Sequence, residues 1–348
     1  MKSGMTLLAA IAATALSSTA YAQTTLSAEG SSPGSSPLTA VMTMGELASN
    51  SGLAEFQVQD GQTLTNSLLN VARGNTDVAP VPLIAPFLLS RGAGPYASVG
   101  KEEGAKLAQD VSVLFTLSFG SMSLYSYDSS SVHGWDDLEG KRVINGPPSG
   151  GALANARGMI QIIAGLEDGK GYEGVQSNWG QMGQTIADGS GDAVVLPIYF
   201  PDDRITQASA AGAMTLYSVP QAAYDSEAFQ NYLKSPGTVG YEIPVADLPR
   251  QEGLTISSED DTWRSPMTAG AMVVNSSMDF ELAKSLTSLF IDNLETFKSK
   301  APYMRYVLLG EIEADKTGMC GAVPVKYHPG AVAAWEEAGY TVPDCAKP

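Results

Sequence analysis

The sequence predicts an α/β protein of two lobes with a ligand cleft between them, and three observations carry this. The chain opens β-loop-α-β-α-β; a strand, small-residue loop, helix and strand recur between Leu138 and Phe200; and a buried strand with an amphipathic helix returns near the C-terminus. Strands alternating with helices mark a parallel sheet with crossovers, and two such units leave a cleft at the C-terminal ends of their strands.

Taken in order, TTLSAE at residues 24–29 reads as a strand, followed by the loop Gly30 to Pro37 and a helix to about Ala48. Residues 56–59 alternate as a second strand, Leu64 to Arg73 places Leu64, Leu68 and Val71 on one helical side, and residues 77–81 form a third, buried strand. The β-rich run from Val111 to Tyr127 is expected to break at Gly120, where the chain passes into the second lobe. There Lys141 to Asn145 runs into Gly146-Pro147-Pro148-Ser149-Gly150-Gly151, after which Leu153, Ala156, Ile160 and Ile163 recur helically. Such a loop is either an ordinary strand-to-helix turn or an anion site built from free N–H groups and the helix dipole. A short helix near Met182 to Asp188, the strand 193–200, a helix near Tyr224 to Lys234, the strand 267–275 and a helix over 280–297 complete the order. The expected division is residues 23–120 with 219–348 as lobe 1 and 121–218 as lobe 2.

Residues 1–22 read as a secretory signal: Lys2, an apolar run from Met5 to Leu16, then Ala20-Tyr21-Ala22, predicting cleavage before Gln23 and a periplasmic location. The formal charge of −17 argues against nucleic acid and anionic membrane surfaces as partners. In an exported chain the two cysteines, Cys320 and Cys345, are expected to pair as a disulfide that staples the C-terminal tail. With only His133 and His328 besides, no zinc spacing arises, and neither metal nor cofactor is expected. The acidic run Glu259-Asp260-Asp261 reads as a solvated loop, lacking the ligand spacing of a calcium loop.

Several segments in order resemble the solute-binding proteins of TRAP transporters of the TAXI type. They are Gly30 to Ser36; Gly61 to Asn66 with Arg73-Gly74-Asn75-Thr76-Asp77-Val78-Ala79; Trp135 to Val143; Gly146 to Gly151; Ile186-Ala187-Asp188-Gly189 with Asp192-Ala193; and His328-Pro329-Gly330-Ala331 with Glu337-Ala338-Gly339. The resemblance implies a non-enzymatic periplasmic receptor of the two-lobe type II binding-protein fold. Such a receptor closes on a small solute, here a carboxylate or amino acid, and delivers it to integral membrane transporter subunits. This chain departs from the family in two loops. No tyrosine follows the first, and Ser149-Gly150-Gly151-Ala152 stands where the family places Ser and Thr after the second Gly.

The residues expected to bind ligand are Ser31, Ser32, Gly34 and Ser35 in the first loop, Thr63 and Asn66 at the second helix, Ser149, Gly150 and Gly151 in the matching loop, and Tyr199 and Asp202 after a buried strand. Asp202 is expected to receive an ammonium group, whereas Arg204 is expected to form a surface ion pair with Asp203. Trp179 is equally a core aromatic or a ligand platform, and His328 is read as structural. Two other functions fit some of these features. A sensor's binding subunit uses the same architecture, and Gly30-Ser31-Ser32-Pro33-Gly34 satisfies the G-x-S-x-G elbow of a hydrolase with Ser32 as nucleophile and His133 or His328 as base.

Overall fold

The computed structural model describes residues 24–348, so the signal segment and the expected start at Gln23 lie outside the described residues. Twelve strands join among them: β1 (Thr24–Glu29), β2 (Ala54–Gln59), β3 (Val78–Pro82), β4 (Val111–Tyr127), β5 (Arg142–Gly146), β6 (Glu173–Gln176), β7 (Ala193–Ile198), β8 (Met214–Tyr217), β9 (Thr238–Pro244), β10 (Leu254–Ser257), β11 (Thr262–Asn275) and β12 (Lys326–Tyr327).

The pairing shows one plan used twice. Lobe 1 runs β2-β1-β3-β11-β4-β12 and lobe 2 runs β6-β5-β7-β4-β8-β10, each with one antiparallel insert in fourth place. The insert of lobe 1 is β11 and that of lobe 2 is β4, so both long strands cross between the lobes. The fold is therefore an α/β two-lobe periplasmic-binding-protein fold, with β1 and β5 as equivalent strands. In each lobe the chain leaves the first strand toward one neighbour and later returns on the other side, which opens a crevice at its C-terminal end.

Lobe 1 is built on one core and lobe 2 on two smaller ones. In the first, Phe290 stacks on Phe115 of β4 at 3.7 Å and meets Phe297 and Trp335 edge-on, which docks the C-terminal helices onto the sheet. The tail is held further by the Cys320–Cys345 disulfide, Cα atoms 5.7 Å apart, as the two lone cysteines led us to expect.

Two expectations are corrected. Strand β4 does not end at Gly120, because its two halves find different partners: β11 on residues 111–121, then β7 and β8 on 121–127. The single helix expected over 280–297 is two, Phe280–Asp292 and Leu294–Ser299, with the Asn293 side chain donating to the Leu289 carbonyl at the break. Past residue 219, Val219, Tyr224 and Phe229 pack in one of the two smaller cores and Leu248 and Trp263 in the other. Val239 and the residues from Met267 of β11 onward contribute to the first core.

His328 is a structural residue. Its Nδ1 accepts from Gly330 N at 3.1 Å, capping the helix Pro329–Glu337, so Nε2 carries the proton donated to the Met278 carbonyl. Burial holds its pKa below the usual 6.5, against the opposing pull of the Met278 carbonyl. The unfolded chain then binds the proton more readily, so the contribution is complete above about pH 6.5 and is lost as pH falls below it. Urea titrations between pH 7.5 and 5 should show wild type losing stability relative to His328→Asn, which keeps a cap but cannot titrate. Parallel curves would refute this.

Candidate functional site

The loops that follow equivalent strands converge on a cavity of 130 Å³ between the lobes. After the first strands come Ser31 to Ser35 with Pro37 and, opposite, Pro147 with Ser149 to Ala152. After the second strands come Thr63 to Thr65 and Trp179; after the third, Pro82 and the run Pro197, Tyr199 and Asp202 to Arg204. Phe119 of β4 and Thr268 of β11 close the base, where the crossing strands lie.

Ten of the eleven residues expected from sequence line this cavity; Asn66 does not, being exposed on the helix Leu64–Ala72. That helix begins at Leu64, so its first-turn groups, Leu64 and the buried Thr65, reach the cavity, while Asn66 has already turned away. The serines divide their work. Ser35 caps the helix Ser36–Asn50, accepting from Leu38 N while its hydroxyl donates to the Ser32 carbonyl, so it shapes the loop.

Two helices that begin at the cavity, one from each lobe, have no side-chain cap. Gly150 sits at the N-cap of the helix Gly151–Ala164 with φ of 108°, a conformation that favours glycine, and Thr63 at the N-cap of Leu64–Ala72 makes no capping bond. Among the described residues the N–H groups of Gly151, Ala152, Leu64 and Thr65 have no acceptor. Free N–H groups and helix dipoles from both lobes thus face one space, an arrangement that attracts an anion.

Arg204 overturns two expectations. It pairs with Asp202, not Asp203, at 2.8 Å through Nη2, while Nε reaches the other carboxylate oxygen at 3.2 Å and Nη2 also donates to the Pro197 carbonyl at 2.5 Å. The guanidinium lies 5.7 Å from the Trp179 ring centre, which makes Trp179 its platform. Burial works against the charge on Arg204, but the Asp202 carboxylate outweighs it and holds the pKa above the usual value. Among the described residues Nη1 carries no hydrogen bond, so a guanidinium fixed on one edge has a free edge left. Sequence reasoning passed over Arg204 as a surface cation because an i, i+1 acid stood beside it. The signal available was the N-cap position of Asp202, which turns its carboxylate back over the helix start.

Asp202 in turn is 2 % exposed and accepts from the backbone N–H groups of Tyr199, Arg204 and Ile205 as well as from the guanidinium. Its acceptors are spent on its own turn, so the expected ammonium role is withdrawn. Tyr199 is a bridge: it accepts from Ser36 Oγ at 3.2 Å and packs its ring 5.0 Å from Tyr303 in lobe 1. Burial pushes its hydroxyl up to about 12, against the relief given by Ser36, so it stays protonated.

Neither histidine lines the cavity, and His328 is committed to Met278 and Gly330.

The NMT1-like family model matches residues 88–339, most of both lobes. The chain belongs to the NMT1-like family. Solved structures similar to this NMT1-like chain include an extracytoplasmic solute receptor of Bordetella pertussis binding pyroglutamic acid, at 12% identity and TM-score 0.43, covering 81% of this chain and 84% of that one. Another is a TRAP periplasmic solute binding protein from Sulfitobacter sp. NAS-14.1 with bound β-D-galacturonate, at 10% identity and TM-score 0.46, covering 91% and 92%. A third is the periplasmic aliphatic sulphonate binding protein from Escherichia coli, at 10% identity and TM-score 0.45, covering 93% and 96%.

Proposed function

We propose that this NMT1-like chain is a non-enzymatic periplasmic receptor that closes on one small ligand bearing a carboxylate and delivers it to a membrane transporter of the TRAP type. The observation that carries the ligand class is the meeting, in one cavity between two lobes, of two uncapped helix N-termini and the free edge of Arg204. A carboxylate there accepts from backbone N–H groups of both lobes, so its binding energy is realised only when the lobes close; the closed form is what the ligand selects. Ser31, Ser32, Ser149 and the Thr63 hydroxyl supply neutral donors around it, and Phe119 and Tyr199 wall the carbon skeleton. The partnership with TRAP-type membrane subunits, and the TAXI type in particular, draws on the ordered segments from Gly30 to Gly339.

Ligand that binds only the folded protein stabilises it by about 2.7 kcal/mol at a hundredfold excess over Kd. A thermal-shift screen of mono- and dicarboxylates and amino acids on the mature protein should therefore find at least one clear upward shift. Silence across the whole set would sink the carboxylate assignment. Delivery is checked separately: uptake of that ligand into vesicles holding the transporter should require added receptor.

A further inference from the structure

We infer that the ligand is a zwitterion, with its ammonium group received by Asp203 and its carboxylate by the Arg204 and N–H face; this rests on the receptor reading above. Among the described residues three charged side chains line the cavity, Asp202, Asp203 and Arg204, while the Tyr199 hydroxyl there stays neutral. Two of them cancel, since Asp202 is buried and bound to Arg204 on both carboxylate oxygens. Asp203 is left over. It is exposed at the cavity wall, has no ion pair among the described residues, and its Oδ2 lies 3.0 Å from where a Cβ on Gly34 would stand. The side chain thus leans across the cleft to the lobe 1 loop, into room that Gly34 leaves by having no side chain.

The charge count then decides between ligand classes. A dicarboxylate adds two negative charges to a lining already net negative by one, and a simple monocarboxylate leaves Asp203 facing it unbalanced. Charges a few ångströms apart in a partly enclosed cleft change affinity by about tenfold or more, so this term is large enough to sort ligands. A ligand carrying both groups satisfies the two faces at once. Asp203 also stands in the first turn of the helix Asp203–Ser209, where an acid complements the dipole. That role does not depend on what fills the cleft.

The test is calorimetric titration of mature wild type and Asp203→Asn with butyrate, succinate, 2-aminobutyrate and 4-aminobutyrate. Wild type should bind one of the amino acids at least about tenfold tighter than butyrate and succinate. In Asp203→Asn that preference should fall to within about threefold, with butyrate and succinate binding unchanged or tighter. Equal preference in the two proteins would overturn the assignment to Asp203. Tighter binding of butyrate or succinate by wild type would overturn the zwitterion while leaving the carboxylate receptor standing. No binding of any of the four would overturn both.

Discussion

Replacing Arg204 by methionine should destabilise the folded protein by about 3 kcal/mol and remove measurable carboxylate binding. The stability loss arises at Asp202, which is 2 % exposed and would be left buried without its cation partner. Removing one partner of a buried pair costs about 3–5 kcal/mol, and the lower end applies here because three backbone N–H groups still reach the carboxylate. The Pro197 carbonyl also loses its donor. Arg204→Lys should recover only part of either property, since an ammonium cannot hold both carboxylate oxygens, reach Pro197, lie on Trp179 and keep a free edge together. The decisive comparison is Asp202→Asn with Arg204→Met. The double variant has no stranded charge, so urea unfolding should find it more stable than Arg204→Met alone, while ligand affinity stays lost. If Arg204→Met costs less than about 1 kcal/mol and binds ligand as wild type does, the pair is a surface contact and the site is misread.

The sequence shows the parts of this molecule that repeat, and conceals those that depend on two distant segments meeting. The loops Gly30 to Ser36 and Gly146 to Gly151 were legible because glycine and serine after a strand declare a helix start, and the pairing order makes them equivalent. Residues 267–275 were legible as a strand from their apolar run, but the extension back to Thr262 depends on β9, which no local pattern announces. The same holds for β4: glycine inside an apolar run reads locally as a break, and only the two sets of partners show why the strand continues. Asn66 was expected at the cavity from the resemblance of Gly61 to Asn66 to the family's helix start; the helix does begin at Leu64, but each residue turns the side chain by about 100°, so its third residue no longer faces the cavity. Arg204 was undervalued because an adjacent acid suggests a surface pair, whereas the cap geometry of Asp202 decides which carboxylate is buried. Tyr199 lines the cavity, and its reach into lobe 1 through Ser36 and Tyr303, a contact across 163 residues of chain in the first case, has no local signature.

Gly120→Ala should cost about 3 kcal/mol of stability and weaken ligand binding even though Gly120 does not line the cavity. Two costs add at this position. Its φ is 91°, a left-handed conformation that an alanine adopts only with strain of about 1–2 kcal/mol, and a Cβ there would stand 2.6 Å from the Ile198 carbonyl oxygen. That neighbour is backbone and part of the β4–β7 ladder, in which Ser121 pairs with Ile198, so relief requires the strands to part at the point where β4 passes from lobe 1 to lobe 2. The residues on either side of the clash are site residues: Phe119 precedes Gly120, and Tyr199 follows Ile198. Pushing β7 outward therefore draws Tyr199 from Ser36 and changes how the two helix N-termini face each other, so affinity falls through geometry and not through a lost contact. Gly158→Ala is the control. It lies inside the helix Gly151–Ala164, its new Cβ would meet Tyr232 at an ordinary 3.5 Å, and helix propensity predicts a gain of up to about 1 kcal/mol with binding intact. Equal behaviour of the two variants would mean that the crossing strand tolerates a displaced β7, and that lobe orientation is set elsewhere than at Gly120.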